Sequence, residues 1–225
     1  MNEPAFTERL LAALEMGGPA MWAIALLSVL TLALILWKVI DLLAAGAWSG
    51  GRHTQAAIEA WSAGDIAAAE AELAGRQSLR AQLARAAIAA LCDPGLSREA
   101  AEAETARVAR ALLARGRAGL RGLELAVTIG PLLGLLGTVT GMIAAFQALQ
   151  VAGNHADPAT LAGGIWEALL TTAAGMAVAI PAQVALTWFE AVVDRLRHDM
   201  EDAATRIFAR APALREARSA RAAAE

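Results

Sequence analysis

Three long apolar stretches constrain the fold of this chain more than any other feature of its sequence. They cover residues 19–43, 123–151 and 161–189, and the second and third contain no lysine or arginine. An α-helix rises about 1.5 Å per residue, so about 20 apolar residues are needed to cross the hydrocarbon core of a bilayer. Each stretch is long enough. The sequence therefore predicts an all-α membrane protein with three transmembrane helices.

The first stretch is expected to be a retained span and not a cleaved signal peptide. The residues before it are acidic, whereas a signal peptide begins with a basic region, and the stretch is too long for one. Lys38 and Asp41 lie near one end, where the lysine can extend its amine to the interface. Trp22 and Trp37 are suited to anchor the helix at the two interfaces.

The distribution of arginine predicts the orientation of the chain. Ten arginines lie between the first and second stretches and seven follow the third, whereas residues 153–160 contain none. Because cytoplasmic flanks are enriched in Lys and Arg, the long loop and the C-terminal tail should face the cytoplasm. The predicted division is an outer segment 1–18, a cytoplasmic helical domain 44–122, an outer connector 152–160 and a cytoplasmic C-terminal helix and tail 190–225.

The cytoplasmic domain is rich in the strong helix formers Ala, Glu, Arg and Leu. The pair Pro94-Gly95 should separate at least two helices. Asp65 and Ser97 can cap helices, and Glu99 is well placed in the first turn after Ser97. From Ser97 the pattern runs without a breaker into the second span. We therefore expect the second and third spans to extend into the cytoplasm as long helices.

Two pairs of opposite charge on these extensions are spaced three residues apart. They are Glu104 with Arg107 and Asp194 with Arg197. Residues at this spacing share one face of a helix, so ion pairs are expected there. Such pairs are typical of a solvated surface and do not indicate a functional site.

Small residues recur at spacings of three and four in the second and third spans. We assign them to helix packing: Gly130, Gly134, Gly137 and Gly141 in the second span, and Ala168, Gly175 and Ala179 in the third. Without a hydrophobic driving force inside the bilayer, helices associate through such close backbone contacts. The pattern predicts a helix bundle or an oligomer. It does not by itself predict transport.

Glu167 is an ionisable residue inside the third span. A carboxylate within the bilayer costs at least a few kcal/mol and is usually retained beside a polar pathway. Thr171 follows four residues later and shares its helical face. Glu167 is therefore a candidate for binding and releasing protons. The alternative interpretation is a glutamate near the outer interface that is hydrated through the connector.

Other chemistry has little support in the sequence. The formal net charge of −3 argues against a nucleic-acid partner. Cys92 is the only cysteine, and His53, His155 and His198 lie apart without a metal-binding spacing. The polar segments contain no phosphate loop, nucleophile elbow or paired carboxylates. We expect no enzyme activity, no metal and no cofactor.

Two segments on the predicted spans resemble a known family. PLLGLLGTVTGMIAAF, residues 131–146, and GGIWEALLTTAAGMAVAIPA, residues 163–182, are similar to the second-span and third-span signatures of the MotA/TolQ/ExbB proton channel family. Three spans instead of four, with a glutamate in the third, favour the ExbB/TolQ branch. Pro131 and Pro181 match prolines of these motifs, and we expect them to break or bend the helices.

The resemblance implies particular roles for four residues. The pore carboxylate corresponds to Glu167, and two pore-facing threonines correspond to Thr138 and Thr172, with Thr171 as a neighbour. A lining of this kind is compatible with protons or with sodium.

The resemblance also implies an assembly in the bacterial inner membrane, with the N-terminus in the periplasm. Five copies of the chain would form a homopentamer around a central pore that holds a dimer of an ExbD/TolR-like single-span protein. The complex would couple the proton motive force to work on the cell envelope or on outer-membrane transport through a TonB/TolA-like periplasm-spanning protein. The alternative from a different class is a non-conducting oligomeric membrane scaffold.

Overall fold

A computed structural model of the protein describes residues 17–48, 51–152 and 158–222. Within these ranges every regular element is an α-helix. The helices are α1 (Gly18–Ala44), α2 (Arg52–Ser62), α3 (Ile66–Leu73), α4 (Leu79–Cys92), α5 (Arg98–Gly116), α6 (Leu120–Ala152) and α7 (Pro158–Ala222). Most of the predicted outer segment and most of the predicted connector lie outside the described residues.

Three of these helices are long and apolar enough to cross a membrane. They are α1, α6 and the part of α7 from Leu161 to Arg210. Large apolar side chains on them are exposed, among them Leu26 on α1, Leu136 on α6 and Val184 on α7. Such exposure suits contact with lipid or with other membrane helices. The prediction of an all-α chain with three candidate membrane helices is confirmed.

The chain forms two compact units. A membrane unit comprises Met1–Trp37 and Gly119–Trp188, and a helical unit comprises Lys38–Ala118 and Phe189–Glu225. The membrane unit includes α6 and most of the apolar parts of α1 and α7. The helical unit includes α2 to α5 and the later part of α7.

The helical unit has its own apolar core. Buried side chains of α2, α4 and α7 meet there, including Ile58, Ile88 and Ile207. Trp61 is 3% exposed, and its indole Nε1 donates a hydrogen bond to the carbonyl of Ile207 at 3.0 Å. A buried indole N–H needs such a partner, so this bond fixes α2 against α7 within the unit.

Local sequence signals set the starts of two helices in this unit. Asp65 Oδ1 accepts a hydrogen bond from Ala68 N at 2.9 Å and caps α3. Ser97 Oγ accepts one from Ala100 N at 3.2 Å and caps α5. Both caps were predicted and are confirmed, because each satisfies an amide that the first helical turn leaves free. The predicted break at Pro94-Gly95 is also present, between α4 and α5.

The second span does not extend into the cytoplasmic segment as one helix, so that prediction is wrong. Helix α5 ends at Gly116 and α6 begins at Leu120. Between them Gly119 has a φ of +82°, a left-handed conformation that suits glycine. A β-carbon on Gly119 would lie 2.5 Å from the ring of Trp37. Trp37 of α1, which is remote in sequence, therefore leaves room only for glycine at this position of the turn. Helix α7, by contrast, is continuous.

Lys38, near the end of α1, has an ion-pair partner on its own helix. Its side chain is 1% exposed, and Nζ lies 2.8 Å from Asp41 Oδ2. Burial of the lysine beside a carboxylate three residues away keeps its charge paired.

One of the two predicted charge pairs is confirmed. Arg107 donates to both carboxylate oxygens of Glu104, at 2.6 and 2.8 Å. The second pair is replaced, because Arg197 binds Glu201 at 2.8 Å and Asp194 binds Arg117 at 3.4 Å. Asp194 thus finds its partner in the residue that follows α5, which spacing along α7 cannot reveal.

Candidate ion pathway

Glycines on α6 bring its backbone into direct contact with α7. A β-carbon on Gly130 would lie 3.0 Å from the carbonyl oxygen of Gly175. One on Gly134 would lie 2.9 Å from Thr172 Cα, and the contact continues at Gly141, beside Ala168. Real β-carbons almost never approach other atoms as closely as the one at Gly134 would, and those at Gly130 and Gly141 would make unusually tight contacts. This spacing of the two helices therefore favours residues without side chains.

The contact continues beyond the predicted stripe. A β-carbon on Gly164 would lie 2.7 Å from Cβ of Ala145. Gly164 was not assigned to helix packing, although it follows Gly163 in the same motif. A β-carbon on the adjacent Gly163 would have no atom within 4 Å. Only the rotation of α7 toward α6 distinguishes the two glycines.

Thr171 is enclosed between the two helices. It is 2% exposed, and its Oγ1 lies 2.7 Å from the carbonyl of Ala168 and 3.2 Å from that of Gly134. A β-carbon on Gly137 would lie 2.5 Å from the same Oγ1. Thr171 therefore links α7 to α6 within one chain.

Thr172 and Thr138 differ from Thr171 in their surroundings. Thr172 is half-buried, and its Oγ1 donates to the carbonyl of Gly134 at 3.2 Å. The hydroxyl of Thr138 is exposed and donates to the carbonyl of Leu135, on its own helix, at 2.7 Å. Thr171 and Thr172 thus both bond to the carbonyl of Gly134, whereas Thr138 bonds only within its own helix.

Glu167 lies on α7 next to this contact. It is half-buried and directly precedes Ala168, which packs against Gly141. Thr171 follows one helical turn later. The neighbouring Trp166 is 66% exposed. The arrangement combines one acidic group with threonine hydroxyls and backbone carbonyls on an otherwise apolar helix pair.

The two motif prolines lie inside continuous helices. Pro131 is within α6 and Pro181 is within α7. We expected these prolines to break or bend the helices, and neither of them breaks its helix. A proline in a helix cannot donate to the carbonyl four residues earlier. Membrane helices accommodate this because neighbouring groups can satisfy the freed carbonyl.

The described residues hold no group of three or more His, Cys, Asp and Glu side chains that could bind a metal ion.

Comparison with known proteins connects this geometry to a family. Residues 75–202 match the model of the MotA/TolQ/ExbB proton channel family. This range contains the predicted second and third spans, both motifs and all the residues assigned to the pathway.

Several curated relatives are similar over shorter ranges. A putative biopolymer transport protein ExbB-like 1 from Synechocystis sp. is 54% identical over 69 residues, which cover 30% of this chain and 27% of the relative. The biopolymer transport protein exbB1 of Vibrio cholerae is 41% identical over 86 residues, covering 36% and 38%. The Tol-Pal system protein TolQ of Pseudomonas aeruginosa is 38% identical over 103 residues, covering 44% of each. The chain therefore spans less than half the length of each of these relatives, whose names agree with the predicted ExbB/TolQ branch.

Proposed function

This chain belongs to the MotA/TolQ/ExbB proton channel family, and from that premise we propose that it is the channel subunit of an ExbB/TolQ-like motor in the bacterial inner membrane. The motor couples the proton motive force to work on the cell envelope or on outer-membrane transport. The proposed orientation has residues 1–18 and 152–160 in the periplasm, and residues 44–122 and 190–225 in the cytoplasm.

The single observation that best supports this function is the position of Glu167. A carboxyl group on a membrane helix lies beside a helix contact that contains threonine hydroxyls and glycine carbonyls. Removal from water favours the neutral form of a carboxyl group, whereas access of water or a cation favours the charged form. Glu167 can therefore bind a proton in one arrangement of the complex and release it in another.

The threonines have different proposed roles. Thr138 and Thr172 face the pore and exchange hydrogen bonds with water or with the carboxyl group, since hydroxyls both donate and accept. Thr171, which is enclosed between α6 and α7, holds the two helices together. This division separates conduction from packing within one short segment.

The proposed assembly is a homopentamer with an ExbD/TolR-like single-span protein in its pore. Exposed apolar side chains on α6 and α7, such as Leu132, Val139 and Met176, suit contacts with lipid, other copies or this partner. A TonB/TolA-like periplasm-spanning protein receives the work. One charge that crosses the membrane releases roughly 2.3 kcal/mol per 100 mV, so several protons supply enough energy to move one component against another.

Proton flux in liposomes tests the proposal. The chain is reconstituted with its single-span partner, and flux is measured with a pH-sensitive dye under an imposed potential. Glu167→Gln should reduce flux at least about tenfold, because an amide cannot take up and release the proton. The matched control Glu190→Gln removes an exposed carboxylate from the helical unit and should leave flux unchanged.

Two outcomes would contradict the proposal. Equal flux through the wild-type and Glu167→Gln proteins would exclude the relay role of this residue. No flux through the wild-type complex would favour the non-conducting scaffold. A second series with a sodium gradient at constant pH distinguishes sodium from proton transport.

A further inference from the structure

A cavity of about 460 Å³ lies in the helical unit where α1 ends and α2 begins. The end of α1 contributes Leu43 and Ala44, and the start of α2 contributes residues 52–54. Its remaining lining comes from Gly46, Gly51, Arg76, Gln77, Ser78 and Arg80. This cavity is separate from the proposed ion pathway, because none of its lining belongs to the membrane unit.

The lining is strongly basic. Arg52, Arg76, Arg80 and His53 all border the cavity, and none of the described residues that line it is acidic. Two carboxylates lie next to this set. Glu72 is 3.0 Å from Nδ1 of His53, and Asp199 forms an ion pair with Arg80. Arg52 and Arg76 are exposed, and neither forms an ion pair with a carboxylate among the described residues. The cavity therefore retains an excess of positive charge.

The N-terminus of α2 adds to this charge. Gly51 is the N-cap residue, no side chain caps the helix, and its first turn contains no acidic residue. The first amides of a helix lack intrahelical partners and carry a partial positive charge. An anion is the usual partner of such a helix end. Asp199 and Asp202 line a neighbouring cavity with Gly51, but neither makes a capping hydrogen bond to α2.

Arg80 provides independent support. It is 7% exposed, and its Nη atoms make long hydrogen bonds of 3.4 Å to the carbonyls of Gly46 and Ala47. Its Nε is buried and has no hydrogen-bond partner among the residues that the structure describes. Asp199 already pairs with one Nη of this guanidinium group, whereas its Nε donor stays unsatisfied. A second anion beside the group would lower the cost of its burial further.

We infer that this cavity binds a phosphate group. Guanidinium groups and helix amides suit phosphate oxygens, because both are N–H donors directed at one point. The position at the end of a candidate membrane helix gives the phosphate two sources, the headgroup of an anionic phospholipid or a free phosphate ion. The inference concerns a second ligand and does not depend on proton conduction.

Hydrogen exchange at the start of α2 is a direct test. The full chain is placed in nanodiscs of phosphatidylcholine, with or without phosphatidylglycerol, and in detergent with or without inorganic phosphate. Exchange of the amides of residues 52–54 should slow about tenfold when the ligand exceeds its dissociation constant tenfold. Slowing with phosphatidylglycerol identifies a lipid source, and slowing with inorganic phosphate identifies a soluble one. No slowing in either arm would overturn the inference.

Two variants connect the effect to the cavity. Arg52→Gln combined with Arg76→Gln should abolish the slowing, and both side chains are exposed, so the fold should persist. The control variant, Arg107→Gln with Arg115→Gln, removes the same charge elsewhere in the helical unit. In this control the ligand should still slow the exchange of residues 52–54. Equal slowing in both double variants would indicate a general charge effect and contradict the proposed site.

A third variant supplies the anion from the chain itself. Gly51 has an ordinary φ of −59°, and a β-carbon there would lie 3.7 Å from Cδ of Arg80, an ordinary contact. Gly51→Asp should therefore fit without a steric clash, place a carboxylate at the start of α2 and compete with phosphate. Its residues 52–54 should exchange slowly without ligand and respond little to phosphatidylglycerol or phosphate. A full response to ligand in this variant would contradict the inference.

Discussion

At Gly137 a single methyl group determines whether α6 and α7 can keep their separation. A β-carbon there would lie 2.5 Å from Oγ1 and 2.7 Å from Cβ of Thr171. The same substitution at Gly163 meets no atom within 4 Å. Both positions are helical, so the two glycines form a matched pair that differs in its surroundings.

Gly137→Ala should lower the free energy of unfolding by about 1–3 kcal/mol, because overpacking forces the helices apart. Gly163→Ala should be neutral or slightly stabilising, since alanine is the better helix former. Denaturation in mixed micelles, followed by circular dichroism, measures both. Equal destabilisation by the two variants would mean that the close α6–α7 contact does not contribute to stability.

The adjacent threonines should separate stability from conduction. Thr171→Val removes a hydroxyl enclosed between two carbonyls and should cost about 1 kcal/mol of stability. Thr172→Val should instead reduce proton flux in liposomes, with a smaller change in stability. The opposite pattern, with loss of flux confined to Thr171→Val, would reverse the roles proposed for the two residues.

At the scale of a helix, the start of α5 combines a cap with a favourable charge. A hydrogen bond from its own backbone N–H, followed by one from the Ser97 hydroxyl, lowers the pKa of Glu99 below its ordinary value of 4.5. A carboxyl group with a lowered pKa in the folded state stabilises that state at pH values above its ordinary pKa. This contribution is lost as the pH falls through the lowered pKa.

Ser97→Ala should destabilise the first turn of α5 by about 1 kcal/mol, because Ala100 N loses its acceptor. Hydrogen exchange of residues 98–101 measures this change. The difference from wild type should shrink below pH 4.5 as Glu99 becomes protonated. Ser62→Ala, which removes a hydroxyl bonded to Ile58 within α2, is the control and should not affect these amides. An unchanged exchange rate in Ser97→Ala would exclude the capping role.

For the whole molecule, the arginine distribution predicts which segments face each side of the membrane. The proposed orientation can be tested with single cysteines in a Cys92→Ala background. In spheroplasts, a membrane-impermeant maleimide should label Ala156→Cys in the proposed periplasmic connector and should not label Arg107→Cys in the cytoplasmic domain. Inverted vesicles should give the reverse. Labelling of Arg107→Cys from outside would show that the orientation is wrong.

Local properties of the sequence were sufficient to identify the membrane helices, the caps at Asp65 and Ser97, and Glu167 as the acidic group in the third span. Each depends on residues close together in the chain. The length of an apolar stretch, a cap three residues before its amide and a charge within an apolar helix all have meaning without knowledge of distant neighbours. The resemblance to the channel family follows from the same continuous segments.

The tertiary structure decided what depends on residues far apart. Trp37 packs so close to Gly119, in the turn between α5 and α6, that no side chain fits there. Asp194 binds Arg117 instead of its neighbour on α7. Burial at the α6–α7 contact distinguishes Thr171 from Thr172, although the two are adjacent in the sequence. These contacts form where separate helices approach each other closely. Helical periodicity shows which residues share a face, but it does not show which residue of another helix each of them contacts.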